Sequence, residues 1–219
     1  MQKIHTYIFS GLGVDERVFQ RIHFPENVEV HFVKWKTPVR SNESLDEYIL
    51  RLVTIEINQP VILIGLSFGG IVAQQLAKKI NPALTIIISS VSSPKELPWY
   101  FKLSGRLHLD RVTPFRLMKF PNFITNWIFG AKSREDKKLL QQIIRESDNK
   151  IIRWSVRQIL NWKGATVAVY HIHGTKDRLL PLKNVNVNAK VKDGGHFMVY
   201  NKAEEIERIL EEQLSKIKI

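Results

Sequence analysis

The chain has 219 residues, 44% of them hydrophobic, and no cysteine. This length suits one domain with a substantial core. The lack of cysteine excludes disulfides, thiolate metal sites and a cysteine nucleophile. The formal net charge of +12 would favour a nucleic acid or an anionic membrane as partner, unless the charge is confined to one segment.

Most of the positive charge lies in one segment of the chain. Residues 95–163 hold fifteen Lys and Arg against six Asp and Glu, a net of +9, which leaves 18 minus 15, or +3, for the rest of the chain. The segment has no long run of basic residues and no nucleic-acid motif. We therefore expect neither a nucleic acid nor a membrane as partner. We interpret residues 95–163 as an insertion into a core formed by residues 1–94 and 164–219.

The N-terminus lacks the features of a secretory signal, and no apolar run approaches the roughly 18 residues of a membrane span. We expect a cytoplasmic protein, whose oligomeric state the sequence leaves open.

Outside the insertion, short β-branched runs alternate with helical patterns. Strands are predicted at residues 6–10, 28–35, 61–65, 84–89, 167–173 and 189–192, and helices at 16–22, 44–57, 68–80 and 203–217. Several of the runs are apolar on both faces, which is typical of parallel strands covered by helices. The pattern predicts an α/β fold with a mostly parallel, doubly wound sheet of about six strands and helices on both faces.

Asp15 precedes the first predicted helix. We interpret it as the N-cap of that helix, with Val14 and Phe19 placed as a hydrophobic staple. Contact with a substrate is the alternative role.

The sequence Gly65-Leu66-Ser67-Phe68-Gly69 matches G-x-S-x-G between a buried strand and an amphipathic helix. This is the context of a nucleophile elbow, where a serine sits on a strained turn and the glycines avoid neighbouring backbone. Gly70 is expected to let the helix lie close to the sheet. An incidental serine in a glycine-rich turn is the alternative.

Residues 102–162 show helical and irregular patterns without a clear strand, which predicts several short helices lying over the sheet as a cap. The aromatic residues of the segment 95–163 are expected to form the core of these helices and, in part, to line a cavity. They are Trp99, Tyr100, Phe101, Phe115, Phe120, Phe123, Trp127, Phe129, Trp154 and Trp162.

A serine hydroxyl needs a base to accept its proton, and that base needs a carboxylate to orient it. His196 follows Gly194-Gly195 after the last predicted strand, and Asp177 follows the strand that ends at His173. Glu96 and Asp193 are rival carboxylates. His171 and His173 share one face of a strand, but without a third ligand we interpret the pair as structural and expect no metal.

The order Ser67, Asp177, His196 is the one found in α/β-hydrolases. With Gly65 to Gly70, Gly174-Thr175-Lys176-Asp177 and Gly194-Gly195-His196-Phe197, nearly the whole chain resembles the small capped members of this family. The resemblance implies that the backbone N–H groups of Leu12 and Phe68 form the oxyanion hole. The chain has Ser10 where the family commonly has histidine. Because there is no room before Thr6 for the two leading strands of larger members, we expect a trimmed sheet.

These observations predict a serine hydrolase that cleaves a carboxylic ester or thioester, with an anionic portion favoured by the basic cap. No cofactor is expected. The fold also supports amide and C–C cleavage and elimination. A protein that keeps the fold as a non-catalytic binding module, with a basic surface for a ligand, a nucleic acid or a membrane, is the alternative from another class.

Overall fold

The computed structural model describes residues 3–55, 60–106 and 123–217. These residues form a sheet of six parallel strands in the order β2-β1-β3-β4-β5-β6, as the sequence predicts. The strands are β1 (Ile4–Phe9), β2 (Val28–Val33), β3 (Val61–Leu66), β4 (Leu84–Ile88), β5 (Tyr170–Gly174) and β6 (Ala189–Val191).

Along the chain, helices lie between the strands and after the last strand. They are α1 (Leu45–Leu52), α2 (Phe68–Ile80), α3 (Trp99–Arg106), α4 (Phe123–Phe129), α5 (Arg134–Glu146), α6 (Asn149–Asn161), α7 (Met198–Asn201) and α8 (Ala203–Leu214), with 3₁₀ turns at Glu16–Phe19, Pro94–Glu96 and Leu182–Asn184. In the described part of the chain, no helix is long and apolar enough to cross a membrane.

Several predicted elements differ from the observed ones at their ends, and three of them show the cause in their backbone. The helix predicted at 16–22 is a short 3₁₀ turn, although Asp15 caps it as expected, accepting a hydrogen bond from the Arg17 N–H at 3.1 Å. The helix predicted at 44–57 ends at Leu52 because the backbone becomes extended at Val53; Ser44 and Glu47 form a capping box at its start. The strand predicted at 167–173 begins only at Tyr170, since the Val167 N–H turns back to the Ala165 carbonyl.

Alternate residues of each strand face opposite sides of the sheet, so the apolar runs build two cores. Ile62 and Ile64 pack in one core with the 3₁₀ turn at Glu16–Phe19, α5, α7 and α8. Leu63 packs in the other with α1 and α2. The two cores explain why the central strands are apolar at nearly every position.

The segment 95–163 contributes helices to both sides of this arrangement. Leu140 and Ile143 of α5 belong to the first core, and Trp154 of α6 and Trp162 belong to the second. Residues 107–122 of the predicted cap, with Phe115 and Phe120, lie outside the described residues. The helices of this segment therefore share their packing with the sheet, and the division of the chain into core and cap stays a prediction.

Candidate active site

The turn between β3 and α2 holds Ser67 in an uncommon conformation. Ser67 has φ 52° and ψ −117°, a region that side-chain-bearing residues rarely adopt. Its backbone is held by the Ser67 N–H, which donates to the Ile88 carbonyl at 2.9 Å, and by the Ser90 hydroxyl, which donates to the Ser67 carbonyl at 2.7 Å. This is the geometry expected of a nucleophile elbow.

The glycines beside Ser67 are required by close backbone approach. A Cβ at Gly69 would lie 2.2 Å from the Phe9 carbonyl oxygen, and one at Gly65 would lie 2.3 Å from the Gly69 carbonyl oxygen. Any side chain at these positions would push α2 away from β1 and β3. The same close approach places the positive end of the α2 dipole beside the Ser67 hydroxyl.

Ser67, His196 and Asp177 form one chain of hydrogen-bonding distances. His196 Nε2 lies 2.9 Å from Ser67 Oγ, and His196 Nδ1 lies 2.8 Å from Asp177 Oδ2. The three residues follow the carboxyl ends of β3, β5 and β6, which meet at one edge of a parallel sheet. With Asp177 accepting from Nδ1–H, Nε2 is free of its proton and faces the serine hydroxyl.

Asp177 is buried and held by its own turn. Its Oδ1 accepts the backbone N–H groups of Leu179 at 3.0 Å and Leu180 at 2.8 Å. Burial by itself would raise the pKa of Asp177, but the charge and hydrogen bond of His196 and the Leu180 N–H outweigh it and leave the pKa below its usual range. The carboxylate is therefore ionised at neutral pH, as an orienting group for His196 has to be.

The rival carboxylates lie elsewhere. Glu96 is buried, but it accepts hydrogen bonds from the backbone and hydroxyl of Ser92 and from the Asn186 N–H. Asp193 pairs with Lys176 at 2.6 Å on the exposed side of the turn. Neither carboxylate contacts His196 through a described hydrogen bond, and Asp177 does.

His171 and His173 lie behind Asp177, fully buried. His171 Nε2 is 3.2 Å from His173 Nδ1, and the outer nitrogens contact the carbonyls of Asn186 at 2.8 Å and Leu180 at 2.7 Å. His173 thus holds the Leu180 end of the turn that donates to Asp177. The pair supports that turn, in agreement with the structural interpretation made from the sequence.

The loop after β1 passes directly over Ser67. A Cβ at Gly11 would lie 3.4 Å from Ser67 Cβ. Ser10 stabilises the loop, because its hydroxyl donates to the Val14 carbonyl at 2.8 Å. Leu12 and Phe68 both border the space in front of Ser67, and the Phe68 N–H, at the first position of α2, has no acceptor within the helix. Their role as oxyanion donors stays a prediction.

A cavity of about 260 Å³ opens in front of Ser67 and His196. The described residues around it include no Lys, Arg, Asp or Glu. They come from the β1 loop, from α2 and from the inserted helices, and the aliphatic ones include Val18, Ile71, Leu97, Ile128, Ile144, Ile152, Val156 and Ile159. The site therefore has one polar wall, formed by Ser67 and His196, and an apolar space beside it.

Sequence reasoning named only aromatic residues of the insertion as candidates for this cavity. Phe101 and Phe129 do line it, whereas Trp154 and Trp162 are packed in the core. The aliphatic stripe Ile152, Val156 and Ile159 on α6 was missed. Its spacing of four and three residues is the sequence signal for one face of a helix.

A parallel sheet in this order, with a serine on the strand-to-helix turn, defines an α/β-hydrolase fold. The sequence profile described as "Alpha/beta hydrolase family" matches residues 11–209. The chain belongs to this family, as its resemblance to it predicts.

Solved structures show the same fold at low sequence identity. An esterase from Thermogutta terrifontis superposes with a TM-score of 0.71 at 15% identity, covering 98% of this chain and 90% of that one. A bromoperoxidase from Bacillus anthracis gives 0.71 at 15%, covering 99% and 93%. An enol-lactonase from Burkholderia xenovorans LB400 gives 0.69 at 14%, covering 99% and 93%. The comparison with curated proteins gives no match.

Proposed function

We propose that this protein is a serine hydrolase that cleaves carboxylic esters or thioesters through an acyl-enzyme. The observation that carries the proposal is the chain from Ser67 Oγ through His196 to Asp177, with distances of 2.9 Å and 2.8 Å, facing an apolar cavity. Membership of the α/β-hydrolase family supports hydrolysis, but a shared fold does not define a substrate.

In the proposed reaction, Ser67 Oγ bonds to the substrate carbonyl carbon while its proton passes to His196 Nε2. The charge that develops on the carbonyl oxygen is stabilised by the N–H groups of Leu12 and Phe68. The bond to the leaving alkoxide or thiolate then breaks, and His196 returns the proton to that group. Water then bonds to the acyl carbon while His196 Nε2 accepts its proton. The bond to Ser67 Oγ breaks, His196 returns the proton to Oγ, and the acid is released. In both steps Asp177 orients and stabilises the imidazolium.

The cavity indicates what the acyl group is like. Since the described residues around it include no Lys, Arg, Asp or Glu, an apolar acyl chain would be accepted, and a charged acyl chain would lose its hydration without gaining a partner of opposite charge. Any anionic portion of the substrate would have to extend beyond the cavity, toward the basic surface of the insertion.

The proposal is tested by labelling with a fluorophosphonate, which reacts with activated serines whatever their natural substrate. We expect labelling of the wild-type protein and none of Ser67→Ala, together with loss of hydrolysis across a panel of esters and thioesters of varied acyl length. Ser215→Ala, a change in an exposed serine after α8 whose hydroxyl donates to the Glu212 carbonyl, serves as the matched serine control and should still be labelled. Absence of labelling in the wild-type protein would favour the non-catalytic binding module.

A further inference from the structure

Two histidines and a glutamate lie side by side on the edge of the sheet, away from Ser67. His5 on β1 pairs in register with Glu29 on β2, and Tyr7 pairs with His31. Glu29 and His31 are two residues apart and so face the same side of β2. His5 is in register with Val61, and Tyr7, the partner of His31, with Leu63. At roughly 3.3 Å per residue, His5 lies about 20 Å and His31 about 13 Å along the strands from Ser67.

The ligand atoms of this cluster converge. His5 Nδ1 lies 3.0 Å from His31 Nε2, and His31 Nε2 lies 3.7 Å from Glu29 Oε1. All three atoms lie within 4.8 Å of one another. Two ligand atoms that each lie about 2.1 Å from one zinc ion in a tetrahedron are about 3.4 Å apart. The two imidazole planes differ by only 10° and their nitrogens face each other in a hydrogen bond, so both side chains would have to rotate for all three atoms to surround a single ion.

The surroundings suit an ion that arrives from solvent. The side chains of His31 and Glu29 are 34% and 42% exposed, so the cluster is open on one side. The ring of Tyr7 stacks against His31 at 4.7 Å and orients it. All three ligands stand on paired strands, which hold them more rigidly than a loop would.

We propose that His5, Glu29 and His31 bind a divalent transition metal, with Zn²⁺ as the ion that best suits two imidazoles and one carboxylate. Three protein ligands leave a fourth position for water. The ion would link the edge strand β2 to β1 and stabilise the sheet. At its distance from Ser67 it takes no part in the proposed hydrolysis, so the two proposals stand or fall separately.

The test is calorimetric titration of the full chain with Zn²⁺, with Co²⁺ as a spectroscopic probe of imidazole ligation. We expect one Zn²⁺ per chain. Loss of a group that merely supports a metal ligand lowers affinity about 10- to 100-fold, so His5→Ala and His31→Ala should lower it at least tenfold. Saturating Zn²⁺, near a hundred times the dissociation constant, should raise the melting temperature by about 5 to 10 °C.

Two controls separate this cluster from other histidines. His23 forms a surface pair with Glu207 at 3.1 Å, and His196 lies in the proposed active site; neither His23→Ala nor His196→Ala should change Zn²⁺ affinity. If His31→Ala fails to fold, Glu29→Gln keeps the side-chain shape and should weaken binding by itself. No binding by the wild-type protein, or binding unchanged in His5→Ala, His31→Ala and Glu29→Gln, would overturn the proposal and leave His5 and His31 as a hydrogen-bonded pair.

Discussion

At the residue scale, the candidate site depends on one strained serine and one buried carboxylate. Ser67 is kept at φ 52° by its backbone hydrogen bonds: its N–H donates to the Ile88 carbonyl of β4, and its carbonyl accepts from the Ser90 hydroxyl and the Gly70 N–H of α2. Asp177 is ionised because His196 and two backbone N–H groups satisfy its oxygens in a buried place. Ser67 thus depends on β4 and Asp177 on His196, both distant in the sequence, while Asp177 depends also on the N–H groups of its own turn.

Replacing Asp177 tests the assignment of the orienting carboxylate. Asp177→Asn should lower kcat on the order of ten-thousandfold, because the amide can donate to Nδ1 and so favours the wrong tautomer of His196. The measurement is steady-state hydrolysis of an activated ester. Asp193→Asn, a change in an exposed side chain, should leave kcat nearly unchanged. A loss of that size in Glu96→Gln, with Asp177→Asn active, would require reassigning the carboxylate.

The buried histidines predict a dependence of stability on pH. Burial, with a contribution from His173, lowers the pKa of His171 to about 4. Between about pH 6.5, the ordinary value, and pH 4, the unfolded chain binds a proton at His171 that the folded chain does not. The free energy of unfolding therefore falls as the pH falls through this range, by up to about 1.4 kcal/mol per pH unit for one proton.

The measurement is urea unfolding at several pH values between 7 and 4. His171→Asn should show a smaller slope of unfolding free energy against pH than the wild type, whatever its absolute stability. His23→Gln, which changes a histidine that is 84% exposed, should keep the wild-type slope. Equal slopes for His171→Asn and the wild type would contradict the explanation.

At the element scale, the ends of β5 and β6 are brought together by glycines. A Cβ at Gly174 would lie 2.3 Å from the Gly194 carbonyl oxygen, and the Lys176 N–H donates to that oxygen at 2.8 Å. The end of α4 also holds the loop that carries His196, since the Phe197 N–H donates to the Phe129 carbonyl at 2.9 Å. The position of His196 relative to Asp177 thus depends on how two strand ends and α4 pack.

Gly174→Ala tests this dependence. The added methyl group should push the Gly194 loop away and separate His196 from Asp177, and a shift of about 1 Å can cost on the order of a hundredfold in rate. Overpacking should also cost about 1 to 3 kcal/mol of stability. Both are measured, as kcat and as the urea midpoint. Lys176→Ala, an exposed change in the same turn, should have little effect on kcat; unchanged kcat in Gly174→Ala would contradict the prediction.

At the scale of the whole molecule, charge and the cavity are separated. Residues 95–163 carry +9 of the net +12, yet no basic residue is among the described residues that line the cavity. Basic side chains are exposed on α5 instead: Arg134, Lys137, Lys138 and Arg145. Charge placed in this way acts at long range on the rate at which a ligand approaches the site. It adds little to the contacts that the ligand makes once it is bound in the cavity.

This separation predicts how rates respond to salt. The kcat/KM for an anionic ester should fall between about 0.1 M and 1 M salt, because the screening length shrinks from about 10 Å to about 3 Å. A neutral ester of the same acyl chain should change much less. Lys137→Glu combined with Lys138→Glu should lower the rate with the anionic ester only. Equal salt dependence for the two esters would show that the basic surface serves solubility.

The sequence by itself determined the fold class, the six strands, the elbow at Ser67 and the family. These depend on local features: apolar runs that are buried on both faces, and glycines where a strand turns sharply into a helix. The sequence was less accurate at the ends of elements, as at residues 16–22 and 167–173. There, packing decides whether a short segment forms a helix, a strand or a turn.

The tertiary structure decided which carboxylate faces His196, the shape and apolar character of the cavity, and the grouping of His5, Glu29 and His31. Glu96, Asp177 and Asp193 all follow strands in the sequence, so their positions along the chain do not distinguish them. Parallel strands bring distant turns to one edge, and only the register and packing of those strands determine which side chains then lie within hydrogen-bonding distance.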